Sequence, residues 1–145
     1  MRWVVGVLMF LWAVVAWAQL TVENPWARPT TPNAKLAAAY LTIVNAGAAD
    51  RLVGAGSPAA ARVEMHVTLK DGEILRMREV KELKVPARGK LELKPAGAHL
   101  MFVDIRGPFK RGEKVPVTLK LENAGEVKAE LLVGQQPAPA EHHKH

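Results

Sequence analysis

Short runs in which apolar and polar residues alternate are the feature that most restricts how this chain can fold. The run "RVEMHVTLK", which begins at Arg62, has an apolar side chain at every second position. That period is typical of a strand, whereas a helix would need apolar residues at intervals of three and four. Similar runs, separated by turn residues, recur from residue 20 to residue 133. We therefore expect an all-β fold of roughly eight or nine short strands, arranged as a two-sheet β-sandwich.

The first 18 residues differ in composition from the rest of the chain. A positively charged start at Arg2 precedes an apolar run over residues 3–17, and Ala16-Trp17-Ala18 has a small-x-small cleavage pattern. This is typical of a secretory signal peptide that is removed after Ala18. A retained membrane anchor is the alternative, although the run is shorter than the roughly 20 residues that a spanning helix needs. We expect three regions: a signal peptide (1–18), a β-sandwich domain (19–134) and a disordered His-rich tail (135–145).

The sequence contains no cysteine. An exported protein of this composition has no disulfides and depends on its core for stability, and no cysteine follows the apolar run to accept a lipid.

The formal net charge is +6, which falls to +5 when Arg2 leaves with the signal peptide. Acidic and basic residues are interspersed, as in "KELKVPARGKLELK". They indicate solvated strand faces rather than a nucleic-acid site, which needs a clustered basic stripe with aromatic residues.

Methionine and histidine lie close together in the expected domain. All five methionines and histidines of residues 19–134 fall within one third of that range: Met65, His66, Met77, His99 and Met101. In "AHLMFVDI", Leu100 and Phe102 share the core face, so His99 and Met101 share the opposite face, about 6.5–7 Å apart along the strand. By the same alternation Met65 belongs to the core, which is the usual place of methionine.

The segment "HVTLKDGEILRMR" predicts a β-hairpin with Asp71-Gly72 as a two-residue type I′ loop. In that register residue i pairs with residue 143 − i, and His66 lies directly opposite Met77 on the polar face. Their Cβ atoms would then be about 4.5–5.5 Å apart. Because Arg76 would fall opposite Val67, a longer loop with a shifted register is the alternative.

Two imidazoles and two thioethers form a donor set with a definite metal preference. Thioether sulfur selects Cu(I), whereas zinc, calcium and magnesium prefer harder or charged ligands. We therefore expect His66, Met77, His99 and Met101 to form a Cu(I) site, shallow and solvent-facing, and suited to transfer. A blue-copper electron carrier needs a cysteine thiolate, and no serine or threonine has a patterned base, so we expect no enzyme.

The spacing His66-x10-Met77-x21-His99-x-Met101 resembles the motif of the periplasmic copper chaperones of the PCu(A)C type. The segments "WARPT", "AAAYLTIVNAG" and "VPARGKLELKPAGAHLM" are similar to that family as well, and the resemblance covers about residues 20–133. It implies a cupredoxin-like Greek-key sandwich with Cu(I) bound by these four residues. One departure is Pro95-Ala96-Gly97, where the family more often has Pro-Gly-Gly.

The resemblance also implies partners and a location. A periplasmic monomer would pass Cu(I) by ligand exchange to the Cu(A) centre of cytochrome c oxidase subunit II, and would also meet other copper chaperones. The tail histidines His142, His143 and His145 are similar to extensions that bind Cu(II) in some members, and a polar terminus without a metal role is the alternative. For the whole chain, the alternatives are a copper-scavenging, resistance or redox protein that uses the tail for Cu(II), and a secreted sandwich used in adhesion or assembly.

Overall fold

Ten strands and no helix are found in residues 19–136, the part of the chain described by the computed structural model. The predicted signal peptide and the histidines of the predicted tail lie outside the described residues. Within them, no helix is long and apolar enough to cross a membrane. The strands are β1 (Leu20–Ala27), β2 (Leu36–Asn45), β3 (Asp50–Gly56), β4 (Ala60–Asp71), β5 (Ile74–Val80), β6 (Leu83–Val85), β7 (Lys90–Leu93), β8 (His99–Ile105), β9 (Lys114–Leu121) and β10 (Gly125–Val133).

The alternation that predicts the strands also builds the core. Along β9 every second side chain is buried, namely those of Val115, Val117, Leu119 and Leu121. Phe102 of β8 is fully buried and packs edge-on against Phe109, with ring centroids 5.6 Å apart. Full burial of one such side chain contributes about 1.5–3 kcal/mol relative to leaving it exposed. Met65 is 5% exposed and belongs to this core, as predicted.

Seven strands close into a barrel-like circuit. Hydrogen-bonded neighbours follow the order β4, β8, β2, β1, β10, β9, β3, and β3 returns to β4 through the pair Ala55–Val63. These pairings are antiparallel except that of β1 with β10. Strands β5, β6 and β7 attach to β4, β3 and β2. The predicted all-β sandwich is confirmed, with the addition that its strands form one continuous hydrogen-bonded sheet that closes where β3 meets β4.

Strand β4 pairs with two different strands along its length. Its first part, from Ala60 to His66, pairs with β8, whereas Met65 to Asp71 pair with β5. The β4–β5 hairpin therefore projects past the end of β8, and every side chain of β5 except Val80 is exposed. The buried β4–β8 pair and the exposed hairpin meet at His66.

A buried carboxylate on β3 fixes the turn between β9 and β10. Asp50 is 7% exposed and accepts hydrogen bonds from the backbone N–H groups of Arg51, Asn123 and Ala124, at 2.7, 2.9 and 3.0 Å. Burial alone would raise the pKa of Asp50, but these hydrogen bonds outweigh it and hold the pKa below its ordinary value of 3.8. None of these partners belongs to the predicted metal site.

Candidate metal centre

The pairing of β4 with β8 places the two predicted histidine ligands directly opposite each other. His66 faces His99, with ring centroids 5.6 Å apart and ring planes tilted by 52°. The adjacent pair, Met65 and Leu100, points to the other face and lies in the core. Because opposite Cβ atoms on one face are about 4.5–5.5 Å apart, the register of these two strands is enough to bring the imidazoles together.

Both imidazoles are more buried than the sequence predicts. His99 is 3% exposed and the side chain of His66 is 17% exposed. The Tyr40 ring of β2 lies 6.3 Å from the His99 ring. The turn between β7 and β8 also folds over them, where the Gly97 carbonyl accepts hydrogen bonds from Thr68 Oγ1 at 3.3 Å and His99 Nδ1 at 3.1 Å. The expectation of a solvent-facing site is wrong for the histidines, because groups from other elements cover them.

One nitrogen of each imidazole is buried without a hydrogen-bond partner. These are His66 Nδ1 and His99 Nε2, the only such side-chain atoms in residues 19–136. The other nitrogens are engaged, His66 Nε2 with the Glu64 carboxylate at 2.8 Å and His99 Nδ1 with the Gly97 carbonyl. Since carboxylate and carbonyl oxygens only accept, these nitrogens donate, and in the neutral rings the unpartnered nitrogens carry lone pairs. Unpaired buried polar atoms are costly, so this pair fits two nitrogen ligands for one metal ion.

The two predicted sulfur ligands differ in burial. Met101 follows His99 on the same face of β8 and is partly buried between β4 and β2. Met77 lies on the edge strand β5 and is 64% exposed. Met77 is nevertheless on the same face as the histidines, since its cross-strand partner is Thr68, two residues beyond His66.

The predicted hairpin register is wrong by two residues. Residue i of β4 pairs with residue 145 − i of β5, so His66 faces Glu79 rather than Met77. The loop is Gly72-Glu73, and only Gly72 has a positive φ, 63°. A type I′ loop at Asp71-Gly72 would require positive φ at the aspartate too, whereas a loop with glycine first, as in a type II′ turn, does not. A shift of two keeps the face, so Met77 becomes a diagonal neighbour of His66.

A cavity of about 270 Å³ connects the exposed methionine to the buried histidine. A water molecule occupies about 30 Å³ in the liquid, so the cavity has room for a metal ion and for movement of the Met77 side chain. The β4–β5 and β4–β8 pairings place His66, Met77, His99 and Met101 on one face of these neighbouring strands. The cavity is lined by Ala38, Tyr40, Thr68, Leu75, Met77, Ala96 and His99.

The departure from Pro-Gly-Gly lies in the wall of this cavity. Ala96 has a φ of 64°, a left-handed conformation that costs a non-glycine residue roughly 1–2 kcal/mol. The following residue, Gly97, supplies the carbonyl that holds His99. Ala96 therefore strains the turn that positions His99, while the predicted ligands are all retained.

Glu64 is the residue of this site that the sequence analysis missed. Its carboxylate contacts Arg62 Nε at 2.7 Å and His66 Nε2 at 2.8 Å. These hydrogen bonds, that from Arg62 first, hold the pKa of Glu64 below its ordinary value against the opposing effect of burial. The signal was present as the alternation Arg-x-Glu-x-His, which places three side chains in a row on one strand face.

Comparison with known proteins decides the family. The LpqE-like family of lipoprotein-like proteins matches residues 20–133. The chain belongs to this family, which is that of the PCuAC domains. The predicted resemblance to the PCu(A)C type is thereby confirmed. Among curated proteins, this PCuAC-family chain is 30% identical over 104 residues to the lipoprotein-like protein Lxx21020 of Leifsonia xyli subsp. xyli, in a match of 70% of this chain and 61% of that protein's length.

Solved PCuAC structures have a similar fold. The copper-bound PCuAC domain from PmoF2 is 27% identical, with a TM-score of 0.68, and the match covers 79% of this chain and 92% of that domain. The Cu(I) form of DR1885 from Deinococcus radiodurans is 33% identical, with a TM-score of 0.60, over 81% of this chain and 82% of that one. Both of those structures contain copper. Imidazole nitrogen and thioether sulfur, the donor atoms found in this chain, are both ligands that copper accepts.

Proposed function

We propose that this protein is a copper chaperone that binds Cu(I) through His66, Met77, His99 and Met101. The observation that carries the proposal is the pair of buried, unpartnered imidazole nitrogens, which lies on the same face as two methionine side chains. Imidazole suits several transition metals, and thioether narrows the choice to soft ions such as Cu(I). The copper-bound PCuAC domain from PmoF2 supports copper as the metal, and the Cu(I) form of DR1885 supports Cu(I).

The alternative of a hard divalent cation lacks support in the described residues. No group of three or more histidine, aspartate or glutamate side chains in residues 19–136 is placed to hold a metal ion. Calcium and magnesium need several oxygen ligands, and structural zinc needs four nitrogen, sulfur or carboxylate ligands. The two histidines supply only two of the four ligands that a structural zinc site needs. The other two proposed ligands are neutral thioethers, which favour Cu(I).

Transfer would begin at the exposed side of the site. A docked acceptor reaches the exposed Met77 before it reaches the buried histidines. Its own donors would displace the Met77 thioether, then Met101, and the imidazoles last. Negatively charged thiolates bind copper more tightly than neutral thioethers, so transfer to a thiolate acceptor is downhill.

We propose the Cu(A) centre of cytochrome c oxidase subunit II as the acceptor, met by a monomer outside the cytoplasm. Membership in a lipoprotein-like family supports this location.

The test is copper transfer under anaerobic conditions. The chain is loaded with Cu(I), mixed with the copper-free Cu(A) domain, and the copper content of each protein is measured after separation. We expect copper to move to the acceptor, and we expect His99→Ala and Met77→Ala to weaken Cu(I) binding in competition with a chelator. Met65→Leu is the matched control, because it changes a core methionine next to His66 with little change in volume. Unchanged Cu(I) affinity in both ligand variants would exclude the proposed site.

A further inference from the structure

Three side chains form a hydrogen-bonded row on the outer face of β4. Arg62 Nε donates to Glu64 Oε1 at 2.7 Å, and Glu64 Oε2 lies 2.8 Å from His66 Nε2. The Glu64 side chain is only 18% exposed, whereas that of Arg62 is 61% exposed. Both oxygens of the carboxylate are therefore occupied, one by the guanidinium and one by the imidazole.

This row determines which nitrogen of His66 faces the site. A hydrogen bond at one ring nitrogen fixes the tautomer and leaves the other nitrogen as the metal-binding atom. At His66 the carboxylate accepts from Nε2, so in the neutral ring Nδ1 carries the lone pair, and Nδ1 is the buried atom without a partner. At His99 the order is reversed, since the Gly97 carbonyl accepts from Nδ1 and Nε2 is free.

We propose that Glu64 is a positioning residue, which holds His66 as the Nε2–H tautomer and so presents Nδ1 to Cu(I). This inference rests on the proposed function for its consequence in copper binding, but the tautomer itself is a property of the metal-free protein. Arg62 anchors the carboxylate from the other side. Arg62 and His66 each engage one of its oxygens, so the carboxylate is held at Nε2 of His66 and not at Nδ1, the atom proposed to face Cu(I).

The position of Glu64 distinguishes it from the other paired carboxylates. Glu64 lies directly opposite Met101 across the β4–β8 pair, in the row of residue pairs that ends with His66 and His99. Glu92 of β7 also accepts from a neighbouring side chain, Lys90 at 2.9 Å, but it has no histidine partner. Glu92 is thus a matched control, an ion-paired strand carboxylate that positions no predicted ligand.

The tautomer test uses the metal-free full chain, labelled with ¹⁵N at histidine and measured by NMR at mildly alkaline pH. In the wild type we expect the His66 ring to carry its proton on Nε2. Glu64→Ala removes the acceptor, so the ring should shift toward the Nδ1–H form. Glu64→Gln keeps a carbonyl acceptor and should restore the Nε2–H form. If Glu64→Ala leaves His66 fully in the Nε2–H form, the positioning role is wrong, whatever the protein does with copper.

The affinity test measures Cu(I) binding of the same variants against a chelator. Loss of a residue that orients a ligand lowers metal affinity by roughly 10–100-fold, and we expect this for Glu64→Ala, recovery in Glu64→Gln, and no change in Glu92→Ala. An equal loss in Glu64→Ala and Glu92→Ala would overturn the proposal in favour of general electrostatics. If the wild type shows the expected tautomers but does not bind Cu(I), the proposed function fails while the link between Glu64 and His66 stands.

Discussion

The two halves of the candidate site are built on different principles. In the β4–β8 half, His99 is 3% exposed, sits between paired strands, and has its ring held by a backbone carbonyl. In the β4–β5 hairpin, Met77 is 64% exposed and lies on an edge strand. The first half is preorganised before any ion arrives. The second must lose side-chain freedom to bind, which costs methionine up to about 1.5–2 kcal/mol.

This difference suits a protein that must both hold and release its cargo. Ligands fixed by packing and hydrogen bonds contribute affinity without an ordering cost. A ligand on an exposed edge strand contributes less, but it is the one that a partner can reach. The comparison teaches that strand pairing alone can place the two proposed nitrogen donors, whereas the proposed sulfur donor on the hairpin is left free to exchange.

The largest expected effect is a difference in stability between variants of the core methionine, Met65, and of the exposed one, Met77. Met65→Ala removes a buried side chain and should lower the free energy of unfolding by about 2–5 kcal/mol, with Cu(I) affinity of the folded protein unchanged. Met77→Ala should change stability by less than about 0.5 kcal/mol, because its side chain has little burial to lose. Urea unfolding measures both. A large loss of stability in Met77→Ala would show that the hairpin is packed rather than free.

The next effect compares the two halves through copper affinity. His99→Ala removes a preorganised donor and should weaken Cu(I) binding by more than the roughly 10–100-fold that follows loss of an orienting residue. Met77→Ala should weaken Cu(I) binding less, because ordering the exposed Met77 side chain costs conformational entropy that offsets part of the binding free energy. Competition titration with a Cu(I) chelator measures both, with folding checked by circular dichroism. Equal losses would remove the distinction between the halves.

Part of the acid sensitivity should arise away from both halves, at Asp50. Its pKa is lowered in the folded state, so its ionised form contributes stability above its ordinary value of 3.8, and this contribution is lost as pH falls through the folded pKa. Asp50→Asn should therefore lower stability at neutral pH by about 1–3 kcal/mol, flatten the acid limb of the stability curve, and leave Cu(I) affinity unchanged. Urea unfolding across pH tests this. An unaltered acid limb would place the sensitive group elsewhere.

The smallest effect concerns the turn that holds His99. Ala96→Gly relieves a left-handed conformation, φ 64°, and after the greater entropy of glycine in the unfolded chain the gain should be about 0.5–1 kcal/mol. Gly72→Ala is the reciprocal control, because φ is 63° there with open space around the new Cβ. It should destabilise the hairpin by a similar amount. A neutral Ala96→Gly change, measured by thermal unfolding, would mean that the turn carries no strain.

Alternation predicted the faces of the strands but not their surroundings. It placed Leu100 and Phe102 in the core and His99 and Met101 opposite, because the period of a strand fixes the face. Burial of His99 was not predictable, since Tyr40 and the β7–β8 turn cover it from elsewhere in the chain. The hairpin register was missed because it depends on which loop residue takes positive φ. The role of Glu64 depends on which neighbours its side chain contacts.

X-ray absorption on the Cu(I)-loaded protein and on Met77→Ala tests the central claim most directly. In the wild type, His66 and His99 should supply two nitrogen donors, and Met77 and Met101 should supply two sulfur donors. In Met77→Ala one sulfur should be lost while both nitrogens remain. Coordination by nitrogen alone in the wild type, or an unchanged sulfur count in Met77→Ala, would contradict a site shared between the buried strands and the exposed hairpin.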